Sequence, residues 1–212
     1  MKKETEEIFE ELFIRYPSLS GQRENIEKAY VLLLESVLND GTVFICGNGG
    51  SASDSEHIVG ELMKRFKKPR PADKTVKEKL YAYGEDGKNV ADTLEGAMRA
   101  VSLTSHIALT TAFSNDRNPA VAFAQQLYGL GRAGDMLVAI STSGNSLNCV
   151  YALMVAKAKG LKTVSLTGTK DSKMSSLSDV TVKVPETETF KVQELHLPVY
   201  HALCAMLESE LF

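Results

Sequence analysis

The chain has 212 residues, a length that suits one α/β domain with a substantial buried core. Its 43% hydrophobic and 24% charged residues are ordinary for a globular protein, and a formal net charge of −3 argues against general attraction to nucleic acid or to an anionic membrane. These values favour a small-molecule partner.

The N-terminal sequence MKKETEEIFEELF places acidic residues at helical spacing and lacks the apolar core of a signal peptide. No stretch of the chain is apolar for long enough to span a bilayer. Cys46, Cys149 and Cys204 are odd in number, distant from one another and without a C-x-x-C pair, so neither a disulfide nor a thiolate-bound zinc is expected. We therefore expect a protein of the reducing cytoplasm.

Two helical patterns fill the first forty residues, after which short apolar runs alternate with amphipathic stretches. This alternation is typical of repeated β-α units and predicts a single domain with a mostly parallel sheet. The predicted strands are 42–46, 99–103, 135–140, 162–166 and 179–184, and the predicted helices after residue 40 are 52–66, 104–114, 119–130, 146–159 and 190–211. Residues 67–89 break this rhythm with charge, Pro and Gly, and are predicted to be a surface insertion.

Small residues follow the first predicted strand in the stretch CGNGGSASDSEH. Gly47, Gly49 and Ala52 match the dinucleotide-binding pattern, but the acidic residue expected about twenty positions later would fall in RFKKPRPAD, which does not suit a buried strand. A P-loop is excluded because no Gly-Lys-Ser/Thr follows. Two interpretations remain: a backbone cradle for an anion at a helix N-terminus, or a tight turn capped by Ser51 or Ser53.

A second loop, ISTSGNS, also follows an apolar strand and precedes a helix. Ser141, Thr142, Ser143 and Ser146 place hydroxyl groups at a strand end, where α/β sheets bind ligands. Two such loops without a nucleotide motif favour a phosphorylated small molecule over NAD or ATP.

Four polar residues, Ser53, His57, Glu61 and Arg65, recur every fourth position of the helix predicted after the first loop. Such a stripe is commonly a solvated edge with a weak Glu61–Arg65 ion pair. Its position beside the anion site favours a functional role. The neighbouring basic run KRFKKPR, residues 64–70, is interpreted as a solvated face rather than a nucleic-acid patch.

The last predicted helix sets Gln193, Glu194, His196 and His201 among apolar residues. Buried polar groups need partners, so this set is either hydrogen-bonded in the core or suited to a zinc-type metal with an open position for substrate. At 3.6 residues per turn Glu194 lies nearly above His201, whereas Gln193 lies well round the helix, and the pattern does not choose between them. Pro198 removes a backbone donor at a point where the helix can kink.

Together, the stretches CGNGGSASDSEHIVGELMKRF, ISTSGNS, SLTG and VQELHLPVYH and the pair Asn115-Asp116 resemble the SIS (sugar isomerase) family of phosphosugar-binding domains, from about residue 25 to the end. The resemblance implies a flavodoxin-like parallel sheet of five strands flanked by helices, and a homotetramer whose active sites are shared between subunits. It also implies aldose–ketose isomerisation through an enediol, with sedoheptulose 7-phosphate as the first candidate substrate and D-glycero-D-manno-heptose 7-phosphate as its product. The insertion at 67–89 has no counterpart in that resemblance.

The resemblance further implies one zinc ion per site, no nucleotide cofactor, and a role for each matching residue. The implied zinc ligands are His57, Glu61, Gln193 and His201. Glu61 and His201 correspond to the catalytic base and acid, and because a zinc-bound glutamate is not free to act as base, the two roles of Glu61 would alternate. The implied substrate contacts are Asn48, Gly49, Gly50, Ser51, Glu61, Arg65, Asn115, Asp116, Ser141, Thr142, Ser143, Ser146 and Gln193.

Two alternatives come from the same family. Some relatives are non-catalytic protein-binding modules, including one associated with the bacterial replication initiator, and others sense an amino sugar phosphate. In the non-catalytic relatives the base and acid positions carry other residues. Glu61 and His201 therefore favour an enzyme, with an isomerase or sensor of another sugar phosphate as the remaining alternative.

Overall fold

The computed structural model describes residues 1–212 as an α/β protein built on one five-stranded sheet. The strands are β1 (Val43–Cys46), β2 (Ala100–Ser102), β3 (Met136–Ile140), β4 (Lys162–Thr167) and β5 (Val180–Lys183). They lie in the order β2-β1-β3-β4-β5, and every neighbouring pair is parallel. This is the flavodoxin-like order of a doubly wound sheet, so the predicted fold class is confirmed.

Ten α-helices surround the sheet: α1 (Lys3–Arg15), α2 (Arg23–Leu38), α3 (Gly50–Met63), α4 (Lys74–Tyr81), α5 (Gly84–Thr93), α6 (Ile107–Asp116), α7 (Ala122–Leu130), α8 (Leu147–Ala158), α9 (Lys173–Leu177) and α10 (Thr189–Leu211). Short 3-10 helices cover Pro17–Gln22 and Pro119–Val121. All predicted strands and helices are present, with boundaries that differ by at most three residues. None of the helices combines the length and apolar character needed to cross a membrane.

The sheet separates two apolar cores, and β1 shows how one strand serves both. Val43 and Ile45 belong to the core under α1, α2, α3 and α10, whereas Phe44 and Cys46 belong to the core under α7 and α8. Successive side chains of a strand point to opposite faces, so a strand that is covered on both faces must be apolar throughout. This is why β1 appears in the sequence as an unbroken apolar run.

The region predicted as an insertion folds into a helical hairpin. α4 and α5 pack against each other, and no residue of α4 is buried. An isolated bridge between Pro71 and Glu95 joins the two ends of this hairpin. Residues 67–89 therefore contain α4 and the first part of α5, which carry helical spacing despite their charge.

Candidate functional site

The loop between β1 and α3 is shaped by glycines. Gly49 precedes the helix with φ 56°, in the left-handed region that favours glycine. A Cβ on Gly50 would lie 2.6 Å from Gln193 Nε2, so the Gln193 amide packs directly against Gly50 and would have to shift if a side chain were present there. The loop thus places the start of α3 directly beside Gln193, while the N–H groups of Ser51, Ala52 and Ser53 donate to the carbonyls of Asn48 and Gly49 within the turn.

The second loop lies at the carboxyl end of β3 and is tied to the first. Asn48 Nδ2 donates to Asn148 Oδ1 at 2.9 Å, and Asn148 Nδ2 donates to Asn48 Oδ1 at 2.8 Å. The hydroxyls of Ser141 and Ser146 lie 2.9 Å apart, and Thr142 O accepts from the N–H of Gly168 in the next loop. The reciprocal amide pair holds the two predicted phosphate loops together. Asn148 was not among the predicted site residues.

Three of the predicted catalytic or metal-binding side chains come together between α3 and α10. His57 Nε2 lies 3.2 Å from Glu61 Oε1 and 3.4 Å from His201 Nε2. Glu61 is 9% exposed, and its Oε2 is buried without a hydrogen-bond partner. Burial and the adjacent His57 ring lower the pKa of His201 below its usual value. At neutral pH the His201 ring is therefore an uncharged imidazole that can accept or donate a proton.

The polar residues of α10 have separate surroundings. Gln193 is half-buried against Gly50, and Glu194 is exposed. His196 is fully buried with no hydrogen-bond partner at either ring nitrogen, and burial lowers its pKa to about 4. α10 continues through Pro198 without a break. Of the two alternatives left open by the sequence, Gln193 is the one that contacts the glycine loop.

The predicted set of four zinc ligands is not assembled as a closed group, because no three or more His, Cys, Asp and Glu side chains are arranged to hold a metal ion. The donor types and their pairwise spacing nevertheless fit zinc. Two nitrogens bound to one tetrahedral zinc lie about 3.3 Å apart, and the His57 and His201 Nε2 atoms lie 3.4 Å apart. Glu61 adds a carboxylate at the same place, with Oε1 facing His57 and a buried Oε2 that has no hydrogen bond and lies 3.6 Å from Lys64 Nζ.

Family models described as SIS domain match residues 96–208 and 17–79. The chain belongs to the SIS domain family. A phosphoheptose isomerase from Akkermansia muciniphila is 34% identical over 197 residues, which cover 93% of this chain and 91% of that protein. A phosphoheptose isomerase from Helicobacter pylori is 37% identical over 191 residues, which cover 90% of this chain and 86% of that protein.

Solved structures give the same result for the fold. The phosphoheptose isomerase of Neisseria gonorrhoeae aligns with a TM-score of 0.69 and 33% identity, covering 87% of this chain and 86% of that one. The phosphoheptose isomerase of Francisella tularensis aligns with a TM-score of 0.76 and 25% identity, covering 92% and 91%.

Other predicted site residues of this SIS domain lie apart from the His57 cluster. α3 ends at Met63, so Arg65 leaves the polar stripe predicted on that helix. Its Nε lies 3.0 Å from Glu95 Oε1, so Arg65 pairs with the far end of the hairpin rather than with Glu61. Asn115 and Asp116 end α6, are exposed, and hydrogen-bond to each other. The substrate contacts predicted for these three residues stay predictions.

The interpretation of residues 64–70 as a solvated basic face is wrong for Arg70, which is 2% exposed. Its guanidinium donates to the carbonyls of Glu61 and Leu62 at the end of α3, and its Nε lies 2.7 Å from Glu208 Oε1 on α10. Glu208, 1% exposed, also accepts the backbone N–H groups of residues 66–68. The last carbonyl groups of a helix have no hydrogen-bond donors within the helix. Arg70 donates to two of these carbonyls in α3. This buried ion pair ties the end of α3 to α10 within the SIS domain.

Proposed function

We propose that this protein is a phosphoheptose isomerase, which converts sedoheptulose 7-phosphate to D-glycero-D-manno-heptose 7-phosphate by proton transfer between adjacent carbons. The observation that carries the proposal is the convergence of Glu61 and His201 on His57, directly C-terminal to the glycine loop. SIS domain membership and two relatives of that name, similar over most of their length, support the same reaction.

The phosphate would bind between the two loops joined by Asn48 and Asn148. The start of α3 offers a helix dipole that favours an anion, and the β3–α8 loop offers the hydroxyls of Ser141 and Ser146. Neither loop places a carboxylate among these donors. A sugar phosphate held there would extend its carbon chain along α3 toward His57 and Glu61.

Isomerisation needs a base that removes a proton from carbon and an acid that donates a proton to an oxygen of the sugar. Glu61 suits the first role because it is a carboxylate beside the two histidines, with its Oε1 directed at His57. His201 suits the second because a neutral imidazole both donates and accepts. We assign the base to Glu61, whose roles as zinc ligand and as base would alternate.

His57, Glu61 and His201, with Gln193 as the fourth predicted donor, would hold zinc. When bound, a zinc ion stabilises the negative charge that develops on the sugar oxygens during enediol formation. The side chains of this chain would still orient the sugar and carry the protons.

Assembly into a homotetramer in the cytoplasm is part of the same proposal. α6 carries the apolar sequence IALTTAF but buries none of its residues, and Ile107 is 73% exposed. A helix of this composition is normally covered, and a second copy would cover it. The three cysteines are free and buried, which suits a reducing compartment. Multi-angle light scattering of the purified protein measures the oligomeric state.

The test of function is turnover of sedoheptulose 7-phosphate in deuterated water by zinc-loaded protein, followed by proton NMR. We expect conversion with solvent deuterium at the exchanged carbon, and loss of both in Glu61→Gln and His201→Asn. Glu194→Gln is the matched control, because Glu194 is an exposed carboxylate beside Gln193 and should leave turnover unchanged. Binding of the sugar phosphate with neither turnover nor exchange would refute the isomerase and favour a sensor.

A further inference from the structure

A tyrosine hydroxyl lies behind His57, on the side away from Glu61 and His201. Tyr200 is 2% exposed, and its hydroxyl lies 3.1 Å from Asp54 Oδ1 and 3.2 Å from His57 Nδ1. The opposite ring nitrogen of His57, Nε2, is the atom that faces Glu61 and His201. Nδ1 of His57 therefore contacts Tyr200, whereas Nε2 faces the proposed catalytic residues.

The proton positions follow from the donors available. The Asp54 carboxylate can only accept, so the single proton of the Tyr200 hydroxyl is donated to Asp54. The Tyr200 oxygen is then free to accept, and the group within reach is His57 Nδ1. A neutral imidazole carries one proton, and a proton on Nδ1 leaves a lone pair on Nε2.

We propose that Tyr200 and Asp54 are positioning residues that hold His57 in the tautomer with its proton on Nδ1. This inference rests on the proposed function, because it is the Nε2 lone pair of His57 that would ligate zinc. Outer partners of a ligating histidine fix its tautomer and orientation in this manner. Here a tyrosine hydroxyl stands between the histidine and the carboxylate.

Loss of the hydroxyl has a definite consequence, since Glu61 Oε1 lies 3.2 Å from His57 Nε2 and competes for the same proton. Without an acceptor at Nδ1, the His57 proton moves to Nε2 and is donated to Glu61. This single change removes the lone pair from His57 and occupies a carboxylate oxygen of the proposed base.

The experiment compares Tyr200→Phe with Tyr30→Phe. Tyr30 is a matched control: it is also 2% exposed, lies in the same core, and its hydroxyl donates to a carboxylate, Glu210 Oε2, at 3.2 Å. Imidazole nitrogen-15 shifts of the metal-free protein report the tautomer, and His57→Gln identifies the His57 signals among the four histidines. Competition with a chromophoric chelator measures zinc affinity.

We expect the Nδ1–H tautomer in the wild type and in Tyr30→Phe, and the Nε2–H tautomer in Tyr200→Phe. Zinc affinity should fall by about 10- to 100-fold in Tyr200→Phe alone. Asp54→Asn keeps an acceptor oxygen and should preserve the wild-type tautomer. Asp54→Ala frees the Tyr200 hydroxyl to donate to Nδ1 and should invert the tautomer.

An unchanged His57 tautomer in Tyr200→Phe, or a wild type with its proton on Nε2, would overturn the inference even if the protein isomerises sedoheptulose 7-phosphate. A tautomer that responds as expected in a protein without turnover would uphold the inference and refute the proposed function. The two failures are thus distinguishable.

Discussion

Replacing Glu208 with glutamine tests whether the buried ion pair holds the candidate site together. Glu208 and Arg70 are 1% and 2% exposed, so neither is screened by water. Glu208 Oε1 accepts from Arg70 Nε at 2.7 Å and from Phe66 N at 2.8 Å, and Oε2 accepts from the N–H groups of Lys67 and Lys68 at 2.7 and 3.0 Å. Four donors therefore depend on one carboxylate.

In Glu208→Gln one of the two oxygens becomes an NH₂ group that faces donors. Removing one partner of a buried ion pair costs about 3–5 kcal/mol because the other charge stays buried. Each backbone N–H that loses its acceptor costs about 1–3 kcal/mol, but these contributions overlap with the first and do not add. We expect the free energy of unfolding to fall by about 3–5 kcal/mol, a large share of the 5–15 kcal/mol typical of a domain.

Urea unfolding at pH 7 and fixed protein concentration measures this loss. With a slope of about 1–3 kcal/mol/M, the midpoint should move down by roughly 1–5 M. Glu10→Gln is the control, since Glu10 also pairs with an arginine, Arg23, but both side chains are nearly half exposed at 45% and 46%. Its midpoint should not move. Equal midpoints for the two variants would refute the reasoning.

Acidification provides an independent measurement. Burial alone would raise the pKa of Glu208, but the donors at Phe66, Lys67 and Arg70 outweigh it and hold that pKa below the usual 4.5. A depressed carboxylate pKa stabilises the fold fully above its unfolded value and loses that effect as pH falls through the folded value. The stability difference between wild type and Glu208→Gln should therefore shrink below pH 4.5. A constant difference down to pH 3 would contradict the assignment.

Three further variants test the loops. Gly50→Ala displaces the flexible end of Gln193 and should lower kcat with little change in the urea midpoint; an unchanged kcat would argue against a role for this contact. Ser141→Ala should raise the KM for the sugar phosphate about tenfold, equivalent to about 1.4 kcal/mol, by removing one hydroxyl donor. Asn148→Asp removes the donor to Asn48 Oδ1 and brings a negative charge to the anion site, so KM should rise by more than in Ser141→Ala, whereas an equal or lower KM would refute the loop pairing.

The fold was predictable because its three central strands are buried on both faces. Short apolar runs such as VFIC in β1 and MLVAI in β3 are typical of strands covered on both faces of a parallel sheet. The small polar residues after these runs mark the carboxyl edge of the sheet. The two loops lie at that edge, and His57 and Glu61 follow the first loop in the sequence, which is why they could be predicted as site residues. Short elements were harder: α9 has five residues and depends on a capping box of Ser172 and Ser175.

Long-range pairing was not predictable from the sequence. Arg70 lies in a run with three lysines and reads as solvent-exposed, but its partner Glu208 is 138 positions away. Arg65 continues the spacing of His57 and Glu61, yet α3 ends before it. Where a helix ends depends on which of its last carbonyl groups accept hydrogen bonds from outside the helix. In α3 the guanidinium of Arg70 donates to the carbonyls of Glu61 and Leu62.

The contacts between α3 and α10 explain why fold and site are coupled. Gln193 lies against Gly50, Tyr200 and His201 reach His57, and Glu208 binds the N–H of Phe66. In each of these four pairs the positions differ by 142 to 144. The two helices therefore run parallel in one register. Gln193 and Tyr200 are seven residues apart, as are His201 and Glu208, and a seven-residue step returns to nearly the same face.

A displacement of α10 by one residue, about 1.5 Å, would break every contact in this register. Glu208 sets the register from the far end, whereas the Tyr200 hydroxyl contacts Asp54 and the ring of His57. Glu208→Gln should therefore lower both the urea midpoint and zinc affinity, while Tyr200→Phe should lower zinc affinity and shift the midpoint no further than Tyr30→Phe. If Tyr200→Phe lost as much stability as Glu208→Gln, the Tyr200 hydroxyl would help to hold α10 in place against α3. Its role would then not be limited to positioning the His57 ring.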